Sequence, residues 1–230
     1  MDREDIEVTE TSLDNSLHRN RTPYNAQNSR FYPEPPMKLV LAATGASGSI
    51  YLQRLLDCLR PADHEIHLVL SEPARQVIAG ELDALRVPEG VLTHDDRDMN
   101  VPFVSGSTRF DAMVVVPCSM GTLGRIAHGT SDSVILRAAD VFLKERRKLI
   151  LVPRETPWNL IHARNAVTVL EAGAVLLPAI PSFYNRPQTV TDVADTVVSR
   201  ILDQLGVENP LAFRWAEMGR RSSKVSGDEC

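Results

Sequence analysis

Two kinds of side chain recur where the apolar runs of this sequence break. Small residues and hydroxyls stand at Gly45, Ala46, Ser47, Ser71, Ser119, Gly121 and Thr122, and basic groups at Arg137, Lys144, Arg154 and Arg200. Hydroxyls and backbone N–H groups donate hydrogen bonds to an anion, and basic groups neutralise it, so the set suits a ligand that ends in phosphate. Arg137 and Lys144 are seven residues apart, so two helical turns bring them to nearly the same face. Each residue also has a plainer reading. The serines cap helices, Arg137 pairs with Asp140, and Lys144 lies near Glu145 without facing it. Arg200 has Asp195 and Asp203 close in sequence, so solvation at the surface would serve it equally. Agreement among several strand ends favours a site over a row of caps.

The stretch that must position the first group is Lys38 to Leu59. It runs from apolar Leu39–Ala43 through Gly45-Ala46-Ser47-Gly48 into Ile50, Leu52, Leu55, Leu56 and Leu59 at helical spacing. That is a buried strand, a tight turn and an amphipathic helix. The unpaired N–H groups of the helix start make an anion the expected guest, although a plain strand-to-helix corner also needs small residues. Ile50 stands where a dinucleotide fingerprint has its third small residue, and Ser49 replaces the last glycine of a hydrolase nucleophile elbow.

Further strands are predicted at Glu65–Leu70, Asp111–Pro117, Lys148–Val152 and Ala174–Leu177. Helices are predicted from Ser71 to about Gly80, just after Cys118, and at Ser131–Arg147, Trp158–Glu171 and Val190–Leu205. Residues 81–110 read as a long loop with one short helix or strand. Alternating strands and helices predict a single-domain α/β fold, a doubly wound parallel sheet of about five strands in a Rossmann- or flavodoxin-like three-layer sandwich. Ligands then lie beyond the carboxyl ends of the strands, where TGASGS, LSEP, PCSMGT, VPRET and LPAIPSFYNRP occur.

A chain of 230 residues with 43% hydrophobic residues and net charge −5 can fill one core and lacks the basic footprint of a nucleic-acid binder. Cys58, Cys118 and Cys230 form neither a disulfide framework nor a zinc site, which suits a reducing compartment, the cytoplasm. No apolar run is long enough for a membrane span. His94 beside Asp95 and Asp96 could bind a metal, but a solvated loop explains it better. His162 reads as a surface or interface residue, and Cys118 as a packing residue, a reactive thiol at a helix start being the alternative. Residues 1–36 read as a disordered extension, 37–218 as the folded domain, and 219–230 as a flexible tail.

Taken together the motifs resemble the flavin prenyltransferases, the UbiX/Pad family. The likeness rests on TGASGS (Thr44–Ser49), SGS (Ser105–Ser107), PCSMGTL (Pro117–Leu123), RAADVFLKERR (Arg137–Arg147), LVPRETP (Leu151–Pro157) and GAVLLPAIPSFYNRPQ (Gly173–Gln188). The resemblance implies an enzyme that joins the prenyl unit of dimethylallyl phosphate to N5 and then C6 of reduced FMN. It uses no metal, assembles as a dodecamer and supplies prenylated FMN to a UbiD-type decarboxylase. It further implies FMN contacts at Gly45, Ala46, Ser47, Ser71, Ser119, Met120, Gly121, Thr122 and Arg154. The prenyl phosphate would meet Lys144, Arg154, Tyr184 and Arg200, and Ser47, Glu81, Arg137 and Glu155 would serve the chemistry. Met99 departs from relatives that carry an aromatic residue there. The rivals are a flavin-dependent cysteine decarboxylase, whose P-x-M-N-x-x-M segment and early catalytic histidine are not found, and a noncatalytic FMN-binding subunit.

Overall fold

The computed structural model describes residues 36–209 and Leu211. The expectations for residues 1–35 and for the tail from Gly219 lie outside the described residues.

An uninterrupted apolar strand belongs in the middle of a parallel sheet, where helices cover both faces. β1 (Lys38–Ala43) is such a strand: Leu39, Leu41 and Ala43 enter one core, Val40 and Ala42 the other. Burying each leucine contributes about 1.5–3 kcal/mol. β1 leads into α1 (Ser49–Cys58), which buries Leu52, Leu55 and Leu56 against the same core as Leu39 and Leu41. The chain continues through β2 (Glu65–Leu70), α2 (Glu72–Glu81), β3 (Leu92–Asp95), a 3-10 turn (Pro102–Val104) and β4 (Ala112–Cys118). There follow α3 (Met120–Ala127), α4 (Val134–Lys144), β5 (Lys148–Pro153), α5 (Leu160–Glu171), β6 (Val175–Leu176) and α6 (Val190–Leu205).

All pairings are parallel, in the order β3-β2-β1-β4-β5-β6. Helices α1, α2 and α6 cover one face, and α3, α4 and α5 the other. The order reverses between β1 and β4, the place where such sheets open a ligand crevice.

Among the described residues the sheet thus has six strands, where the sequence suggests about five. The extra one is β3, inside the irregular stretch, and it escapes a hydrophobic pattern because three of its four residues are exposed at the sheet edge. The helix expected from Ser131 to Arg147 is shorter at both ends. Ser133 caps α4, its hydroxyl accepting from Leu136 N, and the chain leaves helical geometry at Glu145. α5 begins at Leu160 rather than Trp158 because Asn159 is its N-cap and His162 completes the capping box.

Candidate active site

Between the carboxyl ends of β1, β2 and β4 lies a cleft of about 880 Å³ that reaches the start of α4. Gly45, Ser71, Ser119 and Thr122 line it. The hydroxyls also cap helices: Ser71 Oγ accepts from Ala74 N at 3.2 Å and Ser119 Oγ from Thr122 N at 3.3 Å. Both readings of these residues hold at once, since a cap at a strand's carboxyl end faces the crevice. Thr44 ties the two central strands, its hydroxyl accepting from Ser119 N at 2.8 Å and donating to Pro117 O at 3.2 Å.

The basic groups in this cleft are Arg75, Arg97 and Arg125, none of which stood out in the sequence. Two had a signal. Arg75 follows the cap Ser71 by four residues and Arg125 follows Thr122 by three, so each lies one helical turn behind a cleft hydroxyl. Asp96 faces the same cleft and holds α4 in place, its carbonyl accepting from Val134 N at 2.8 Å and its Oδ1 from Ile135 N at 2.9 Å. Burial pushes its carboxyl above the ordinary range, against the pull of the Ile135 N–H, Ser133 and Arg125.

The start of α1 corrects an expectation. The anion there is the chain's own Glu81, which accepts from Gly48 N at 2.9 Å and Ser49 N at 2.7 Å. Burial opposes its charge, but the Ser47 hydroxyl and the two N–H groups outweigh it and hold the carboxyl below its ordinary range. Gly48 has φ 115°, and a Cβ there would stand 2.8 Å from the Tyr51 ring, so the turn needs glycine twice over. The Ser47 carbonyl accepts from Arg154 Nε at 3.0 Å. Ser47 and Ala46 therefore belong to a turn braced by Glu81 and Arg154, and the open cleft begins at Gly45.

Arg154 and Glu155 form the rim of a second pocket, of about 550 Å³, walled by Pro153, Trp158, Pro178, Ile180 and Pro181. Glu155 Oε1 accepts from Thr156 N at 3.0 Å and its carbonyl from Trp158 Nε1 at 3.1 Å. Ile180 also lines a third pocket of about 370 Å³, which brings Tyr184 and Arg200 together with Ser182, Asn185, Thr196 and Ser199. Arg200 pairs with Asp203 at 2.7 Å, whereas Asp195 is held by Arg54 at 2.7 Å.

Other expected site residues lie elsewhere. Met120 and Gly121 line a hollow of about 410 Å³ with residues of α3 and α5. Arg137 donates from Nε to Val104 O at 3.3 Å and from Nη1 to Asp140 at 2.7 Å. Lys144 does face Glu145 and forms an ion pair with it, because Glu145 is the C-cap rather than a helical neighbour. α4 starts at the cleft and has eleven residues, so Lys144 is about 16 Å away at the amino-end edge of the sheet. Within one chain, Lys144 and Arg154 do not meet.

His94, expected in a solvated loop, stands in β3 against His67. Cys118 is fully buried and burial pushes its thiol up to about 12, which makes it a packing residue and not a reactive one. Among the described residues no three His, Cys, Asp or Glu side chains are gathered to hold a metal, and no helix is long and apolar enough to cross a membrane.

The flavoprotein family matches residues 28–212 of the chain. The flavin prenyltransferase UbiX of Methanocaldococcus jannaschii is 46% identical over 182 residues, 78% of this chain and 98% of its own. The solved structure of AnUbiX (PadA1) in complex with FMN and dimethylallyl pyrophosphate has a TM-score of 0.74 at 42% identity, over 78% of this chain and 97% of that one. A dodecameric FMN-dependent UbiX-like decarboxylase from Escherichia coli O157:H7 also superposes with a TM-score of 0.74 at 42% identity, over 78% and 99% of the two chains. Similarity of this extent, spread over the whole sheet and its carboxyl-end loops, places the chain in the flavin prenyltransferase family of flavoproteins.

Proposed function

We propose that this chain transfers a dimethylallyl group from dimethylallyl phosphate to N5 and then C6 of reduced FMN, making prenylated FMN for a UbiD-type decarboxylase. The observation that carries the reading is the position of Arg154. It braces the Ser47 turn beside the large cleft and at the same time rims the apolar pocket whose wall residue Ile180 also lines the pocket of Tyr184 and Arg200.

The cleft suits FMN because it offers hydroxyls at Ser71, Ser119 and Thr122 together with three guanidinium groups. Gly45, Ala46, Ser47, Met120, Gly121 and Arg154 complete the proposed flavin contacts. Reduced flavin would supply the nucleophilic N5 and C6. The protein's task lies at the donor. Breaking the allylic C–O bond sends its electron pair out with the phosphate, and preorganised cations and hydroxyls at the departing oxygens lower that barrier. Arg154, Tyr184 and Arg200 take this role, with Lys144. The proline, isoleucine and tryptophan walls keep water from the allylic carbon. Glu155, beside Arg154 on the pocket rim, would orient the arginine and take up the proton lost when the ring closes, while Glu81 and Arg137 would support the site from the Ser47 turn and from α4.

Because Lys144 sits at the opposite edge of the sheet, it would reach the donor from a neighbouring copy. The dodecameric state of the Escherichia coli relative supports such an assembly. Residues 37–218 would form the catalytic unit, and the scattered cysteines suit the cytoplasm. The second phosphate subsite at Tyr184 and Arg200 disfavours a pure flavin carrier, which has no use for it.

Anaerobic incubation with reduced FMN and dimethylallyl phosphate, followed by mass analysis of the released flavin, tests the reading. A flavin heavier by one C5H8 unit is expected. Unchanged FMN would contradict it.

A further inference from the structure

Buried His67 and half-buried His94 form a pair outside the site described above. His67 Nδ1 and His94 Nε2 are 2.8 Å apart, and His67 Nε2 is 3.0 Å from Glu65 Oε1. The ring centroids are 4.9 Å apart with planes inclined by 6°. At that separation, with the nitrogens in contact, the rings lie edge to edge in one plane. Phe103 and Phe110 pack their rings against His67 at 5.5 and 5.1 Å, and Phe103 stands 5.3 Å from His94. The charged groups around the pair are Lys38 of β1, paired with Glu65 of β2 at 2.7 Å, and Asp98 beyond β3.

His94 is the inward side chain of the edge strand β3, which among the described residues pairs only with β2. The next residues are the cleft wall: Asp95, Asp96 and Arg97 all line the large cleft, and Asp96 holds the start of α4. We propose that the His67–His94 pair positions this wall and makes the cleft's hold on the flavin sensitive to acid. The proposal rests on the reading that the cleft takes FMN.

The proton arrangement sets the direction. Glu65 accepts the Nε2 proton of His67, so His67 Nδ1 must accept and His94 Nε2 must donate. One further proton, on either ring, still leaves a single proton between the two nitrogens. Two further protons set N–H against N–H, and the pair must part. Burial, and then the nearby His67, hold the His94 imidazole below its ordinary range, with Asp98 pulling the other way. The closed form therefore binds fewer protons than the released one. Its advantage is complete above the ordinary imidazole value of about 6.5 and shrinks as pH falls through the lowered His94 value, and the pair parts once the second proton has bound.

The test is the affinity of the full chain for oxidised FMN, followed by flavin fluorescence from about pH 8 to about pH 5, in wild type, His94→Gln and His94→Ala. The FMN phosphate itself titrates near about pH 6 in all three, so the readout is the difference between them. The side-chain amide that His94→Gln introduces keeps a donor toward His67 but does not titrate. His94→Gln should match wild type at about pH 8 and bind about tenfold more tightly than wild type at about pH 5. His94→Ala should bind more weakly at every pH. Equal acid weakening in wild type and His94→Gln, or full affinity in His94→Ala, would overturn the proposal. If wild type binds no FMN at any pH, the reading of the cleft fails instead. Amide exchange of β3 then tests the latch alone, with acid-accelerated exchange expected in wild type but absent from His94→Gln.

Discussion

At the carboxyl-end edge of the sheet, Arg75, Arg97, Arg125 and Arg154 line or rim open pockets. At the amino-end edge, similar groups are turned onto the chain itself. Arg147 donates to Thr108 O at 2.8 Å and to Gly106 O at 2.7 Å, and Lys144 pairs with Glu145, while Arg137, nearer the cleft end of α4, holds Val104 and Asp140. The second edge is a brace for the SGS loop, where a side chain at Gly106 would have to push aside the end of the Glu145 side chain. The difference teaches that a cation's place in the fold decides its task more than its type does. Lys144 is the interesting exception. Its side chain remains 45% exposed, and a surface pair of that kind contributes at most about 1 kcal/mol, so a phosphate can displace Glu145.

The largest effects should come from Arg154→Ala and Lys144→Ala, each lowering kcat/KM about 10²- to 10³-fold in anaerobic steady-state assays. They should differ in flavin affinity, because only Arg154 braces the Ser47 turn. Arg154→Ala should weaken FMN binding and Lys144→Ala should not. Normal turnover in Lys144→Ala would make the amino-end edge purely structural.

A smaller effect should separate the pockets within the carboxyl-end edge. Arg200→Ala should raise the donor KM about tenfold and Tyr184→Phe about threefold, with FMN affinity unchanged. The double variant should show coupling, the expected mark of two groups that share one anion. Lost FMN affinity in Arg200→Ala with normal donor KM would reverse the assignment of the two phosphate subsites.

The smallest effect concerns stability. Glu81→Gln removes a carboxylate from the start of α1 and should cost about 1 kcal/mol near neutral pH, a modest figure because the group is partly in solvent. Glu81 has a lowered folded pKa, so its contribution is present above the ordinary value of about 4.3 and vanishes as pH falls through the folded one. Denaturant midpoints of wild type and variant should therefore differ at neutral pH and converge in acid. A constant gap would show that shape, not charge, matters there.

What could be read from the sequence follows from the range of each interaction. β1, its turn and α1 were legible because apolar runs and helical spacing are local, and Ser71 because a cap needs only the next turn. β3 was not, since an edge strand buries too little to leave a pattern. Glu81 was suggested by family resemblance alone, as nothing in spacing predicts a contact with Gly48 across 33 residues. Lys144 and Glu145 were misread because the rule for helical neighbours stops at the C-cap. The cleft arginines were half visible: Arg75 and Arg125 sit one turn behind cleft hydroxyls, while Arg97 lies in irregular chain.

The central claim, an active centre assembled from opposite edges of two copies, is tested most directly by complementation. Lys144→Ala and Arg154→Ala chains are co-expressed, purified as mixed assemblies and assayed anaerobically for prenylated FMN. Random mixing gives about a quarter of the centres both residues intact, so about a quarter of wild-type activity should return. Activity no greater than that of the two variants assayed separately would place Lys144 and Arg154 in the same chain's site, or Lys144 in none, and would contradict the account.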